Sequence, residues 1–178
     1  MQDKPHSRKR KREKEEKKVS EQPKLDDSTT PILFYGRGHL FSNFTPLAFV
    51  EDLPSKEKIV WKTREHRYQA SKFEFKSPMW ERIHKAPTPS TAKRLGRTPG
   101  MRNDWNAIRD EVMKETIQLC IKCNPRLKEF LWSTGKRHIA EHTTADLYWG
   151  DGGHKGGGQN QLGKILMEIR DSLGSEKT

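Results

Sequence analysis

The stretch Thr63-Arg64-Glu65-His66-Arg67-Tyr68-Gln69-Ala70-Ser71-Lys72-Phe73 limits what this chain can fold into more than any other. Wound at 3.6 residues per turn, it sets Glu65, Gln69 and Lys72 on one stripe, at i, i+4 and i+7. Tyr68 and Phe75 flank that stripe on one side and His66 and Phe73 on the other, while Arg67, Ser71 and Glu74 occupy the opposite face. An amphipathic helix turns its aromatic side inward and its charged side to water. The pattern therefore drives a carboxylate, an amide and an amine into the interior, where charge is costly unless paired. Two readings stand: a Glu–Lys pair that completes the core, or a pair retained for chemistry.

The 178 residues are enough for one domain and a tail. No apolar run approaches the ~20 residues that cross a bilayer, and no hydrophobic signal segment follows Met1. The expectation is a soluble, intracellular, cytoplasmic protein. Cys120 and Cys123 are the only cysteines. Their spacing is half of a zinc site without a second pair, so the expectation is two buried thiols in a reducing compartment. The seven histidines show no ligand spacing, and no metal or cofactor is expected.

Residues 1–29 carry ten Lys/Arg against seven Asp/Glu, and the remainder twenty-five against seventeen, net charges of +3 and +8. The first segment lacks a buried pattern and reads as a disordered basic tail. Its Arg8–Arg12 cluster is a candidate nuclear import signal or weak polyanion contact, against the plainer reading of a solvated charged tail. Residues 30–175 form the expected domain. Short strands are expected at Ile32–Tyr35, Leu47–Val50 and Ile59–Lys62, with a hairpin loop over Asp52–Lys58. A long helix follows Asn103 or Asp104 to about Cys123, Pro125 opens another that Gly135 ends, and a last one runs from about Asn160 to Leu173. A short extended piece covers Arg137–Glu141. The fold class is α+β, a mostly helical single domain with a small sheet.

Two further segments carry site chemistry. Asp146-Leu147-Tyr148-Trp149-Gly150-Asp151-Gly152-Gly153-His154-Lys155-Gly156-Gly157-Gly158 leads into the last helix. Glycines let backbone approach a ligand, and a helix N-terminus offers N–H groups to an anion. The spacing is not that of a dinucleotide fingerprint. Trp149 is suited to stack on a base or sugar, and Asp146 and Asp151 to hold hydroxyls or assist proton transfer. The second is the basic stretch from Arg82 to Arg109. There Arg97 and Arg102 flank a Gly/Pro loop suited to phosphate, whereas Lys85 and Lys93 read as solvated surface. Trp105 is either core or a stacking platform.

In series, Phe34-Tyr35, Leu40-Phe41-Ser42-Asn43-Phe44, Glu65–Lys72, Gly96-Arg97, Arg102-Asn103-Asp104-Trp105, Leu131–Gly135, Asp146–Gly152 and Asn160–Gly163 resemble the YbiA-like family, also called the NADAR domain. The resemblance covers about residues 32–173. It implies an N-glycosidase that cleaves the bond between a ribose carbon and a base-type nitrogen. The implied substrates are ribosylamino-pyrimidine phosphates of riboflavin biosynthesis or ADP-ribosylated guanine in nucleic acid. Glu65 then falls on the family's acidic position and Lys72 on its lysine, both catalytic. Asn43, Phe44, Gln69, Arg97, Trp105, Asp146, Trp149, Gly150, Asp151 and Asn160 are expected to bind substrate. The Leu53–Lys58 hairpin and the basic tail stand outside the shared pattern. The rival reading is a module that binds NAD, ADP-ribose or modified nucleic acid without turning it over.

Overall fold

The computed structural model describes residues 29–175; the Arg8–Arg12 cluster and the rest of the expected tail through residue 28 lie outside the described residues. Three helices start by the same local chemistry. Thr63, Ser77 and Thr88 each cap a helix by accepting a backbone N–H, opening α1 (Arg64–Ala70), α2 (Pro78–His84) and α3 (Pro89–Leu95). Proline at the first helical position of α2 and α3 removes an N–H that would have had no partner. Next come the long α4 (Trp105–Cys123), α5 (Pro125–Ser133) and, after the glycine-rich segment, α6 (Gln161–Ser175). Among the described residues no helix is long and apolar enough to cross a membrane.

The strands form two separate pairs. β2 (Phe49–Asp52) and β3 (Lys58–Trp61) make an antiparallel hairpin, with Phe49 opposite Trp61. β2 begins two residues later than the hydropathy pattern predicts. β1 (Ile32–Phe34) pairs in parallel with β4 (Ile139–Glu141), which places Glu141 beside Phe34. The core between these layers is built from Phe41, Phe49, Trp61, Met113, Ile117, Leu127, Leu131, Leu162 and Leu166.

α1 sits at the centre, against α2, α3, α4 and β3. All seven of its residues are buried. The expectation of a charged face turned to water fails for Arg67, while Glu74, beyond the helix, is exposed. Arg67 is 8% exposed and makes a bidentate pair with Glu51, Nε to Oε2 at 3.0 Å and Nη2 to Oε1 at 2.7 Å. It also donates to Thr116 Oγ1 at 2.7 Å, and Trp61 Nε1 donates to Glu51 Oε2 at 2.7 Å. Arg64 is 1% exposed and holds the preceding loop by donating to Leu40 O and Ser42 O. Phe75, expected inside, is 49% exposed because α1 ends at Ala70 and the chain turns away. Cys120 is buried as expected, but Cys123, the last residue of α4, is exposed.

Candidate active site

One face of α1 looks into a cavity of about 270 Å³. Glu65, in the first turn of α1, is 5% exposed and accepts a hydrogen bond from Gln69 Nε2 at 2.8 Å. Its backbone N–H donates to Asn43 O at 3.1 Å, so the loop that carries Asn43 and Phe44 is tied to the helix start. Lys72 lies just beyond the helix, in the turn that closes α1. Its Nζ donates to Gly96 O at 3.2 Å and stands 5.7 Å and 5.6 Å from the ring centres of Tyr68 and Trp105. Gly96 has to be glycine: a Cβ there would run into the Gln69 side chain.

Burial pushes the Glu65 carboxyl above the usual carboxylate range, and the Gln69 hydrogen bond and the Lys93 and Lys72 charges pull the other way. Burial likewise lowers the Lys72 ammonium, with Glu65 opposing and the Arg97 and Lys93 charges adding to the effect. Two buried oxygens of the cavity wall, Asn43 Oδ1 and Gln69 Oε1, have no hydrogen-bond partner.

The cavity brings together Asn43, Phe44, Glu65, Gln69, Lys72 and Arg97, and with them Trp105, Asp146 and Trp149. Trp105 is 4% exposed and 5.0 Å from the Tyr68 ring, so it is core and cavity wall at once. Asp146 Oδ1 accepts the N–H groups of Tyr148 and Trp149 at 3.1 and 3.0 Å, which turns Trp149 toward the cavity edge.

Several expectations need correction. Arg102 pairs with Asp104 outside this cavity, through two hydrogen bonds between exposed side chains. Lys93, expected in solvent, instead lines the cavity, 5.6 Å from the Phe44 ring centre. Gly150, Asp151 and Asn160 do not line it. Asp151 accepts from Gly153 N–H at 2.7 Å and sits 3.0 Å from His142 Nδ1. Asn160, at φ +50°, accepts from Glu141 N–H and donates to Ile139 O. Gly150 lies so close to Glu141 O and Asp146 O that a Cβ would not fit. At the start of α6 the Asn160, Gln161 and Leu162 amides are not open to an anion, because they donate to Gly150, Tyr148 and Trp149 carbonyls. The glycine-rich segment is a scaffold around β4.

Sequence reasoning missed Glu141, Arg109 and Tyr148 as cavity residues. The Arg109 guanidinium carbon is 3.5 Å from the Tyr148 ring centre, and the Tyr148 hydroxyl donates to Asp110 at 2.6 Å. Arg109 falls in the basic stretch, so its charge was a usable signal; Glu141, alone on a three-residue strand, gave none. Among the described residues no group of three His, Cys, Asp or Glu side chains is placed to hold a metal ion.

A family model described as the NADAR domain matches residues 33–174. The chain belongs to the NADAR family. It is 38% identical over 151 residues to N-glycosidase YbiA of Escherichia coli K12, covering 83% of this chain and 91% of that protein. The solved NMR structure of E. coli YbiA superposes with a TM-score of 0.74 at 32% identity, covering 86% of this chain and 90% of the other. The maize chloroplastic riboflavin biosynthesis protein PYRR is 33% identical over 174 residues, 87% of this chain but 28% of that longer protein. The NADAR fold accounts for the mostly helical α+β architecture.

Proposed function

We propose that this chain is an N-glycosidase that hydrolyses the bond between a ribose carbon and a base-type nitrogen, with ribosylamino-pyrimidine phosphates of riboflavin biosynthesis as substrates. The observation that carries the reading is the meeting of Glu65 and Lys72 in one cavity with Lys93, Arg97 and Arg109. Relatives named for N-glycosidase activity and for riboflavin biosynthesis support it. Four cations, Lys72, Lys93, Arg97 and Arg109, line the same space and suit a phosphate. A cavity of about 270 Å³ favours one ribosyl phosphate over the larger ADP-ribose.

Cleavage builds positive charge at the ribosyl carbon. Burial disfavours the Glu65 carboxylate more than the Lys93 and Lys72 charges favour it, and the forming cation adds a further counter-charge. Its interaction is thus stronger in the transition state than before it, which is what accelerates a reaction. Lys72, whose proton burial loosens, is suited to add as an amine to the sugar carbon. The base nitrogen departs from that carbon with its bonding pair, the bond to the ring oxygen then opens with a proton going to that oxygen, and water hydrolyses the imine left on Lys72 to give back the amine and the sugar phosphate. As a cation, Lys72 would instead hold Glu65 and the phosphate in place.

The test is to incubate the purified protein with the ribosylamino-pyrimidine phosphate and with DNA carrying ADP-ribosylated guanine, and to follow free sugar. Sugar phosphate from the first is expected. Release from the second alone would move the substrate, and saturable binding of either without release would put the non-catalytic binding module ahead. Borohydride added during turnover traps a sugar adduct on the wild type but not on Lys72→Ala if the amine attacks. Absence of the adduct, with part of the activity kept by Lys72→Arg, assigns the cationic role.

A further inference from the structure

Resting on that reading, we propose that Glu141 is the acid that gives a proton to the departing nitrogen, making β4 and the segment after it the second half of the catalytic apparatus. Three carboxyl groups line the cavity, and their surroundings differ. Asp146 accepts two backbone N–H groups through Oδ1, and Glu65 accepts Gln69 Nε2 through Oε1. The Glu141 carboxyl has no hydrogen bond or ion pair among the described residues, so its proton is free to go to a ligand.

Its backbone, by contrast, is held from three sides. Glu141 N–H donates to Asn160 Oδ1 at 3.2 Å, its carbonyl accepts Asp151 N–H at 2.9 Å, and the strand register sets it beside Phe34. Gly150 lies against the same carbonyl with no room for a side chain. Gly150, Asp151 and Asn160 are therefore positioning residues for Glu141, which is why they belong to the site without touching the cavity. A carboxyl fixed at its root and unbound at its tip is the arrangement that general acid catalysis requires.

The charges facing Glu141 come from three elements: Asp146 and Asp151 from the glycine-rich segment, Glu65 from α1 and Lys93 from α3. The Tyr35 hydroxyl, just past β1, and the Arg97 and Arg109 guanidiniums line the same cavity. Burial and the neighbouring Asp146 push the Glu141 carboxyl up to about 7, with Lys93 opposing. An acid poised near neutrality combines the protonated form with a useful readiness to give it up.

In the step itself the bond from the ribosyl carbon to nitrogen breaks, and its electron pair stays on nitrogen, which takes the Glu141 proton. The sugar carbon is left electron-poor. Water, or the Lys72 amine followed by water, supplies the new bond at that carbon. The proton released by water restores Glu141. The net change is one water consumed, with one free amine and one sugar phosphate formed.

The experiment is the pH dependence of kcat on the ribosylamino-pyrimidine phosphate for wild type, Glu141→Gln and Glu141→Asp, with circular dichroism to confirm folding. The wild type should lose kcat as pH rises through about 7. Glu141→Gln should lower kcat by about a hundredfold to ten-thousandfold and abolish that alkaline limb. Glu141→Asp should keep part of the activity with the limb displaced. A folded Glu141→Gln within a few-fold of wild type, or with the same alkaline limb, overturns the proposal and leaves the N-glycosidase reading intact. If Glu141→Gln does not fold, Glu141→Asp decides: an unmoved limb overturns the assignment. A wild type inactive on every ribosyl substrate overturns the N-glycosidase reading and this proposal together.

Discussion

The two sides of α1 bury charge in opposite ways. On one side Arg67 meets both Glu51 oxygens and Thr116, and Trp61 adds a further donor to Glu51. On the other, Glu65 takes a single hydrogen bond, Gln69 and Asn43 keep unpaired oxygens, and Lys72 reaches only a backbone carbonyl. Arg67 and Glu65 are both buried within one seven-residue helix, so burial alone does not separate structure from chemistry. The two sides differ in pairing, although Arg64 of the same helix also keeps two buried nitrogens, Nε and Nη1, without partners and does not line the cavity. A saturated ion pair holds a hairpin to a helix bundle, whereas an under-paired set is held ready for a ligand that will complete it.

The contrast can be broken most sharply on the saturated side. Removing one partner of a buried pair strands the other, so Arg67→Ala should cost about 3–5 kcal/mol in urea unfolding. Glu51→Leu combined with Arg67→Met should recover much of that loss, because a buried pair replaced by apolar groups leaves no orphan charge. Equal loss in the single and double variants would mean that packing, not pairing, dominates there.

On the cavity side, Arg97→Ala should weaken phosphorylated substrates by about 1.5–3 kcal/mol, roughly ten- to a hundredfold, and spare their dephosphorylated forms. Equal impairment of both forms would make Arg97 a structural residue. A smaller effect concerns Glu141, whose carboxyl is raised in the folded protein to about 7 from an ordinary 4.5. A raised group contributes stability that is fully present below its unfolded value and is lost as pH rises through the folded one. The wild type should therefore lose stability relative to Glu141→Gln between pH 4.5 and about 7, read from unfolding midpoints, and parallel curves would contradict the assignment. The smallest effect expected is from deleting residues 1–28. Turnover of a nucleotide-sized substrate should stay within about twofold, since the described residues from Tyr35 to Leu162 already supply Glu65, Lys72 and the cations of the cavity.

Much of this was legible because it is local. The Glu65–Gln69–Lys72 stripe follows from helical geometry, and Ser/Thr followed by proline announces α2 and α3. The apolar spacing from Trp105 to Cys120 announces α4. The rest depends on partners distant in sequence. Arg67 reads as a surface charge until β2 brings Glu51 to it, and Lys93 until α3 folds over Phe44. Glu141 enters the cavity only because β4 pairs with β1 from the other end of the domain. Asp146, Tyr148 and Trp149 of the glycine-rich segment line the cavity, while Gly150 makes room for a backbone contact at Glu141.

The central claim is that the under-paired side of α1 is kept for catalysis, and Glu65→Gln tests it most directly when turnover and unfolding free energy are measured on the same preparation. Gln matches the size of Glu65 and removes a buried charge that burial already disfavours. The account predicts turnover lowered by about a thousandfold or more, with stability equal to or above that of the wild type. Near-normal turnover, or a turnover loss that only follows a loss of folded protein, would contradict it.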